Sequence, residues 1–341
     1  QHGEARWLGT PRRLTAHVSD VQLQQPDRTE EVVGPPASVA FDDAGEPTRA
    51  GSGFARGQGM TGADLYRVKT PKGEYAGLRK TVVGKTAAVV VADTLPAILR
   101  ALPQPKKMRW LAGVDPFIRP VRWLVALLGE AVLPTDFGGH TATAVSRGHR
   151  FNADRDVPVS AVLIEYTAAL RAAGVEPDPA IRRATILQQA RELAVSAGGT
   201  LVEDDATLDT VTWLVEHASP LLAQFDDEFL QIPDAVILTT LKSHQKLLCA
   251  RDSEGKLLPC FIAVANTLSP QSAADVADGN RKVVAARLSD ARFFYTEDGK
   301  ASLDSYVDKL AGRTWLHKLG TVADKVERIT ALSTAIGKRA Q

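Results

Sequence analysis

In the second half of this chain, Ala-rich helical stretches alternate with short strand-like strings, and such a pattern excludes both an all-helical bundle and an all-β sandwich. The clearest element covers residues 178–199. Asp178 stands where an N-cap carboxylate accepts a first-turn N–H, Pro179 fits the first helical position, where no N–H is needed, and Gly198 ends the pattern. Between them Ile186, Ala190, Leu193 and Ala197 recur at helical spacing and mark the face to be buried. Further helices are expected over residues 157–174 and 207–217, and from about Asp278 with Val284, Leu288, Ala291 and Tyr295 on one face. Cys249 and Cys260 flank Ser253-Glu254-Gly255, where strand, turn and strand would form a hairpin with the two thiols as near neighbours. They are the only cysteines, and the expectation is two buried thiols in a reducing compartment.

The first hundred residues read as a small α+β unit. Residues 14–21 and 65–69 are strand-like, and 75–80 pairs with the latter across Pro71-Lys72-Gly73. Residues 26–62 are rich in Gly, Pro and charge and predict a long loop or mobile insert. Residues 86–102 predict a helix carrying Val90, Leu95, Ile98 and Leu102, with Pro96 as a kink or a new start. A linker over 103–108 follows, and then a hairpin in which 121–128 and 131–133 flank Gly129-Glu130. From Ser302 onward the pattern turns helical. Thr321 and Asp324 open a capped helix with Val322, Val326, Ile329 and Ile336 as its stripe, and Asp324 is expected to pair with Arg328.

At 341 residues with 44% hydrophobic residues, the chain is long enough for two or three domains. A net charge of +1 gives no bulk attraction for polyanions, so any nucleic-acid contact depends on local clusters. No apolar run reaches the length of a bilayer span, and nothing at the start resembles a secretory signal. Several familiar motifs fail in context. Gly57-Gln58-Gly59-Met60-Thr61-Gly62 matches the dinucleotide fingerprint literally, but no strand precedes it and no helix follows. Gly84-Lys85-Thr86 ends like a phosphate-binding loop, but the preceding Gly77 is too far away, so a loop entering a helix is expected. The histidines lack metal-ligand spacing, and no nucleophile elbow occurs.

Basic clusters carry the strongest chemistry, because RNA binding needs cations near phosphates and planar groups for exposed bases. Lys106, Lys107, Arg109, Arg119 and Arg122 gather around Trp110, Phe117 and Trp123. Arg147, His149, Arg150 and Arg155 surround Phe151. Lys242, His244, Gln245 and Lys246 form a third cluster at a helix end, where cations also complement the helix dipole.

A set of collinear strings ties these readings together. GTPRRL (9–14), GFARGQG (53–59), KKMRW (106–110), FIRPVRWLVALLG (117–129), RGHRF (147–151), TTLKSHQKLL (239–248), EGKLLPCFIAVAN (254–266), GNRKVVAARLSDARFF (279–294) and KLGTVADKVERI (318–329) occur in that order. In this order and spacing the chain resembles the β subunit of the bacterial two-subunit glycyl-tRNA synthetase, over roughly the first half of such a subunit.

The resemblance implies a multidomain α+β fold: an N-terminal α+β domain truncated at its start (1–105), a central mixed α/β domain similar to the editing-type domain of phenylalanyl-tRNA synthetase (106–300), and the truncated start of an all-helical, HD-type domain (301–341). It implies a cytoplasmic class II glycine-tRNA ligase with α2β2 subunits. ATP, Mg and the chemistry are expected on the α subunit, with no cofactor, metal or catalytic residue in this chain. The partners implied are that α subunit and glycine-specific tRNA, with the three basic clusters as candidate tRNA contacts and no membrane. Two other readings follow from the same residues: an assembly scaffold without RNA contact, and an editing-type deacylase of mischarged tRNA.

Overall fold

The computed structural model describes residues 1–267 and 269–340, and its contacts divide the chain into two compact units. The first comprises Gln1–Leu8, Leu14–Arg150 and Asp154–Ala173, and the second comprises Gly9–Arg13, Phe151–Ala153 and Gly174–Gln341. A hairpin of β1 (Ala5–Thr10) and β2 (Arg13–Val18) opens the chain.

In the first unit, β3 (Arg28–Pro36) leads through the short helix α1 (Ala37–Ala40) to α2 (Arg49–Gly57) and the hairpin β4 (Tyr66–Thr70) and β5 (Gly73–Val82). The three strands form an antiparallel sheet in the order β3-β5-β4, with Val32 opposite Leu78. Residues 26–62 are therefore an ordered part of the fold, which corrects the expected loop or mobile insert. The run Arg28–Pro36 alternates weakly, and only pairing with the distant β5 makes it a strand. α1 seals the sheet by burying Ala37, Ala40 and Phe41 against Ala76. α2 approaches so closely that a Cβ on Gly51 would collide with the Ala40 carbonyl.

The hairpin across Pro71-Lys72-Gly73 and the next helix are as expected. α3 (Ala87–Ala101) begins at Thr86, whose hydroxyl accepts from Val89 N at 3.4 Å, and contains Pro96. Gly84-Lys85-Thr86 is thus a loop entering a helix. Beyond α3 the regular structure consists of short pieces: β6 (Leu127–Leu128) with β7 (Ala131–Val132), β8 (Asp136–Phe137) with β9 (His140–Thr141), and β10 (Val145–Arg147) with β11 (Asp156–Pro158). Ala126, Leu133 and Ala142 form a small core there, packed against Ala88, Val91 and Leu95 of α3. The helix expected over 157–174 is shorter. Its first residues pair as β11, and α4 spans Leu163–Ala172.

The second unit is a four-stranded antiparallel sheet covered on both faces by helices. α5 (Pro179–Ser196) has the expected ends: Asp178 Oδ1 accepts from Ala180 N at 2.8 Å, and Gly198 leaves the helix at φ +83°. β12 (Thr200–Val202), α6 (Asp205–Thr212), β13 (Ser219–Gln224) and α7 (Asp234–Thr239) follow. α7 runs into a π-helical turn over Thr240–His244, then come β14 (Leu248–Arg251), β15 (Leu257–Ala265) and α8 (Pro270–Asp298). The strand order is β12-β14-β15-β13. Alternation along the strands divides the core in two. Leu248, Ala250, Cys260 and Ile262 face α5 and α6, while Cys249, Leu257, Phe261 and Ala263 face Leu241 of the π turn, Ile237 of α7, and Val284 and Leu288 of α8.

Several sequence expectations change in this unit. Cys249 pairs in register with Phe261, not Cys260, so the two thiols belong to opposite faces of the sheet. Both are buried and free, as expected. Helix α6 ends at Thr212 instead of reaching 217, and α8 begins at the Ser269 cap, so Asp278 lies inside the helix and pairs with Arg281 and Lys282 at 2.9 and 2.7 Å. Residues after Ser302 are not continuously helical. They form 3-10 turns and a hairpin of β16 (Thr314–Leu316) and β17 (Gly320–Thr321) before α9 (Val322–Ala340). The Thr321–Asp324 cap is present: Thr321 N donates to Asp324 Oδ2 at 2.7 Å. Arg328 donates to the Leu319 carbonyl at 2.9 Å, and α9 buries no residue.

Candidate nucleic-acid interface

The first basic cluster sits on the segment between α3 and β6. Nothing in 103–125 is regular helix or strand, yet the segment is tied down at many points. Met108 and Phe117 exchange backbone hydrogen bonds at 3.2 Å, closing a loop between them. Trp110 Nε1 donates to the Phe117 carbonyl at 3.0 Å, Ile118 N donates to Gln104 Oε1 at 2.7 Å, and Lys107 Nζ donates to the Arg100 carbonyl at 2.6 Å. Arg100 Nε meets Asp115 Oδ1 at 2.7 Å. That hydrogen bond holds the Asp115 carboxyl below its ordinary range and raises the Arg100 guanidinium. The Phe117 ring packs edge-on against Phe137 at 5.7 Å, and His140 Nε2 donates to the Val121 carbonyl at 2.9 Å.

This anchoring sets a surface. Asp115 is the only carboxylate in 103–125, and Arg100 already occupies it. Lys106, Lys107, Arg109, Arg119 and Arg122 are all exposed, as are Met108, Trp110, Leu111 and Ile118. Cations interleaved with an exposed indole and aliphatic side chains can neutralise phosphates and offer platforms for unstacked bases. The arrangement holds no paired acid and base for proton transfer.

The second cluster is more self-contained. Arg147 of β10 lies opposite Asp156 of β11 and pairs with it at 2.7 Å. His149 is fully buried, and its backbone N–H donates to Ala173 O at 2.9 Å, so the exposed members of this cluster are Arg147, Arg150 and Arg155, with Phe151 exposed among them. In the third cluster His244 is exposed, Lys242 Nζ pairs with Asp204 Oδ2 at 3.1 Å, and Lys246 Nζ donates to the Ser243 carbonyl at 2.8 Å. Lys242 and Lys246 line a cleft of about 280 Å³ with Asp204, Thr207, Thr239 and Ser243.

Two polar features were not foreseen. Asp204 caps α6, accepting from Thr207 N at 2.8 Å, and this bond together with Lys242 lowers its carboxyl pKa. An acid just ahead of a helix is the signal that could have found it. Glu216 is buried and accepts from Thr10 Oγ1 and Arg13 Nη1, each at 2.7 Å, and from Arg12 Nη1 at 3.2 Å. Beside it the buried Arg182 donates to the carbonyls of Glu176, Gly9 and Thr212, at 2.7, 2.8 and 3.3 Å. Burial pushes that guanidinium below its ordinary value. Both are structural hubs within the second unit, with no sequence signal beyond the residue types.

Among the described residues no cluster of His, Cys, Asp and Glu could hold a metal ion, and no helix is long and apolar enough to cross a membrane. Burial pushes the Cys249 thiol up to about 12, so it stays protonated and unreactive at neutral pH. The molecule is therefore an α/β protein of two compact units with an anchored basic and aromatic surface. A family model described as glycyl-tRNA synthetase beta subunit matches residues 1–341, and the chain belongs to that family. Curated relatives agree. The chain is 40% identical over 340 residues to the glycine–tRNA ligase beta subunit of Nitratidesulfovibrio vulgaris (strain DSM 19637 / Miyazaki F), covering 100% of this chain and 48% of that protein. It is 42% identical over 340 residues to the Myxococcus xanthus (strain DK1622) protein of the same name, again 100% and 48%, and 40% identical to that of Geotalea daltonii, 99% and 49%. The chain thus spans about half the length of the curated relatives it matches.

Proposed function

We propose that this chain supplies RNA binding and assembly to a two-subunit glycine-tRNA ligase, while ATP-dependent attachment of glycine to tRNA takes place on a separate α subunit. The observation that carries the RNA part is segment 103–125. Five exposed cations share it with one carboxylate, already paired, and side-chain hydrogen bonds hold Trp110 and its neighbours at the surface. A surface pre-set in this way loses less conformational entropy on binding than a free loop. Arg147 and Arg150 are further contacts in this reading.

The reading includes an α2β2 class II enzyme in the cytoplasm, with glycine-specific tRNA as the RNA partner and ATP and Mg on the α subunit. It assigns this chain no catalytic group. It retains the division into an N-terminal part (1–105), a central part similar to the phenylalanyl-tRNA synthetase editing-type domain (106–300), and a C-terminal part (301–341). The family membership and the beta-subunit names of the relatives support an α-subunit partner and a tRNA substrate.

Titration of the chain with labelled glycine-specific tRNA at two salt concentrations, against an unrelated tRNA as competitor, tests this. Binding that weakens as salt rises is expected, since each phosphate neutralised releases counterions. No binding by the folded chain would reject the RNA-binding role and leave assembly alone.

A further inference from the structure

We infer that the cleft between α6 and the π-helical turn is a binding site for a phosphate group. It lies wholly within the second unit and stands independently of segment 103–125. Three features coincide there. The turn carrying Lys242 is π-helical, a form found mostly as single turns and often at functional sites. Lys246 sits at φ +57°, a left-handed conformation that a lysine rarely takes. Between these lysines and α6 lies the cleft of about 280 Å³, roomy for one phosphate group.

The lining chemistry selects an anion. Among the lining residues two ammonium groups face one carboxylate, and the hydroxyls of Thr207, Thr239 and Ser243 add further donors. Lys242 is held at 18% side-chain exposure by Asp204, and Asp204 is itself fixed as the cap of α6. The carboxylate therefore holds Lys242 in place, while Lys246 Nζ bonds to the Ser243 carbonyl. A phosphate entering the cleft would be met by two point charges of the kind lysine presents to phosphates. A cation would meet two positive groups. The phosphate could belong to an RNA backbone or to a free small molecule, since the binding chemistry is shared.

Lysine-selective acylation, read residue by residue by mass spectrometry on the folded chain, tests the inference with two probes: inorganic phosphate and a short single-stranded RNA. Lys256, exposed on the β14–β15 turn and paired only with Glu254, is the internal control. Slower modification of Lys242 and Lys246 by about fivefold, with Lys256 unchanged, is expected from ion pairing to a bound phosphate. Protection by inorganic phosphate alone assigns a free ligand, and protection only by RNA assigns a backbone phosphate. Asp204→Asn keeps a competent helix cap while removing the competing charge, so it should tighten binding by about threefold, and Lys246→Gln should weaken it by at least as much. Equal modification of all three lysines with and without both probes, or protection that neither variant alters, would overturn the site.

Discussion

The sheet of the second unit and segment 103–125 of the first are ordered by different forces. The sheet buries an apolar layer on each face, with Phe261 and Ile262 fully buried on opposite sides. The segment has no fully buried residue and is fixed by hydrogen bonds involving Trp110, Gln104, Lys107 and Arg100. Apolar burial stabilises in proportion to area and leaves few groups free for ligands. Side-chain hydrogen bonds contribute little net stability, but they aim exposed groups. The contrast separates where the molecule is stable from where it can meet a polyanion.

Substitutions should divide along the same line. Phe261→Ala removes a fully buried ring from the centre of the sheet and should cost about 3–5 kcal/mol in denaturant unfolding. Glu216→Ala leaves Arg13 buried beside a lost carboxylate and should cost about 3 kcal/mol. In the segment, Trp110→Ala should cost about 1–2 kcal/mol in stability, less than Phe261→Ala, because the indole keeps 39% of its surface exposed and contributes one hydrogen bond. A loss comparable to that of Phe261→Ala would erase the distinction between the two regions.

Asp204→Ala should cost about 1 kcal/mol, the usual value of a helix cap. Its pH dependence has a definite sign. The folded-state pKa of Asp204 is depressed below the ordinary 3.8, first by the Thr207 N–H and then by Lys242. The stabilisation it gives is therefore complete above the unfolded value and is lost as pH falls through the still lower folded value. Wild type and Asp204→Ala should differ in stability at pH 6 and converge as pH falls through the folded-state value, which lies below the ordinary 3.8. Convergence at higher pH would show that Lys242 and Thr207 do not hold the carboxylate as described. The smallest effect belongs to the surface. Breaking the exposed pair of Arg191 with Glu203 should change stability by no more than about 0.5 kcal/mol.

What could be read from the sequence follows how local each cause is. The ends of α5 were legible because Asp178, Pro179 and Gly198 act within a turn of themselves. The hairpin β4–β5 and the cap at Thr321 were legible for the same reason. β3 was not, because its pairing partners in β5 lie 39 to 54 residues away and its own composition is that of a loop. The assignment of Cys249 and Cys260 to opposite faces depends on the pairing of Cys249 with Phe261, a register that no spacing rule supplies. The basic cluster over 106–122 could be named from the sequence, but its anchoring by Trp110 and Asp115 could not. The burial of His149 and the meeting of Asp204 with Lys242 are tertiary events without local cause.

The most direct measurement is the salt dependence of tRNA affinity for wild type and for a variant with Arg109, Arg119 and Arg122 each changed to Gln. If these exposed cations meet phosphates, the logarithmic salt slope should fall by about two to three units, near 0.7–0.9 per lost contact, while thermal stability stays unchanged. An unchanged slope with unchanged stability would mean that the anchored surface does not meet RNA.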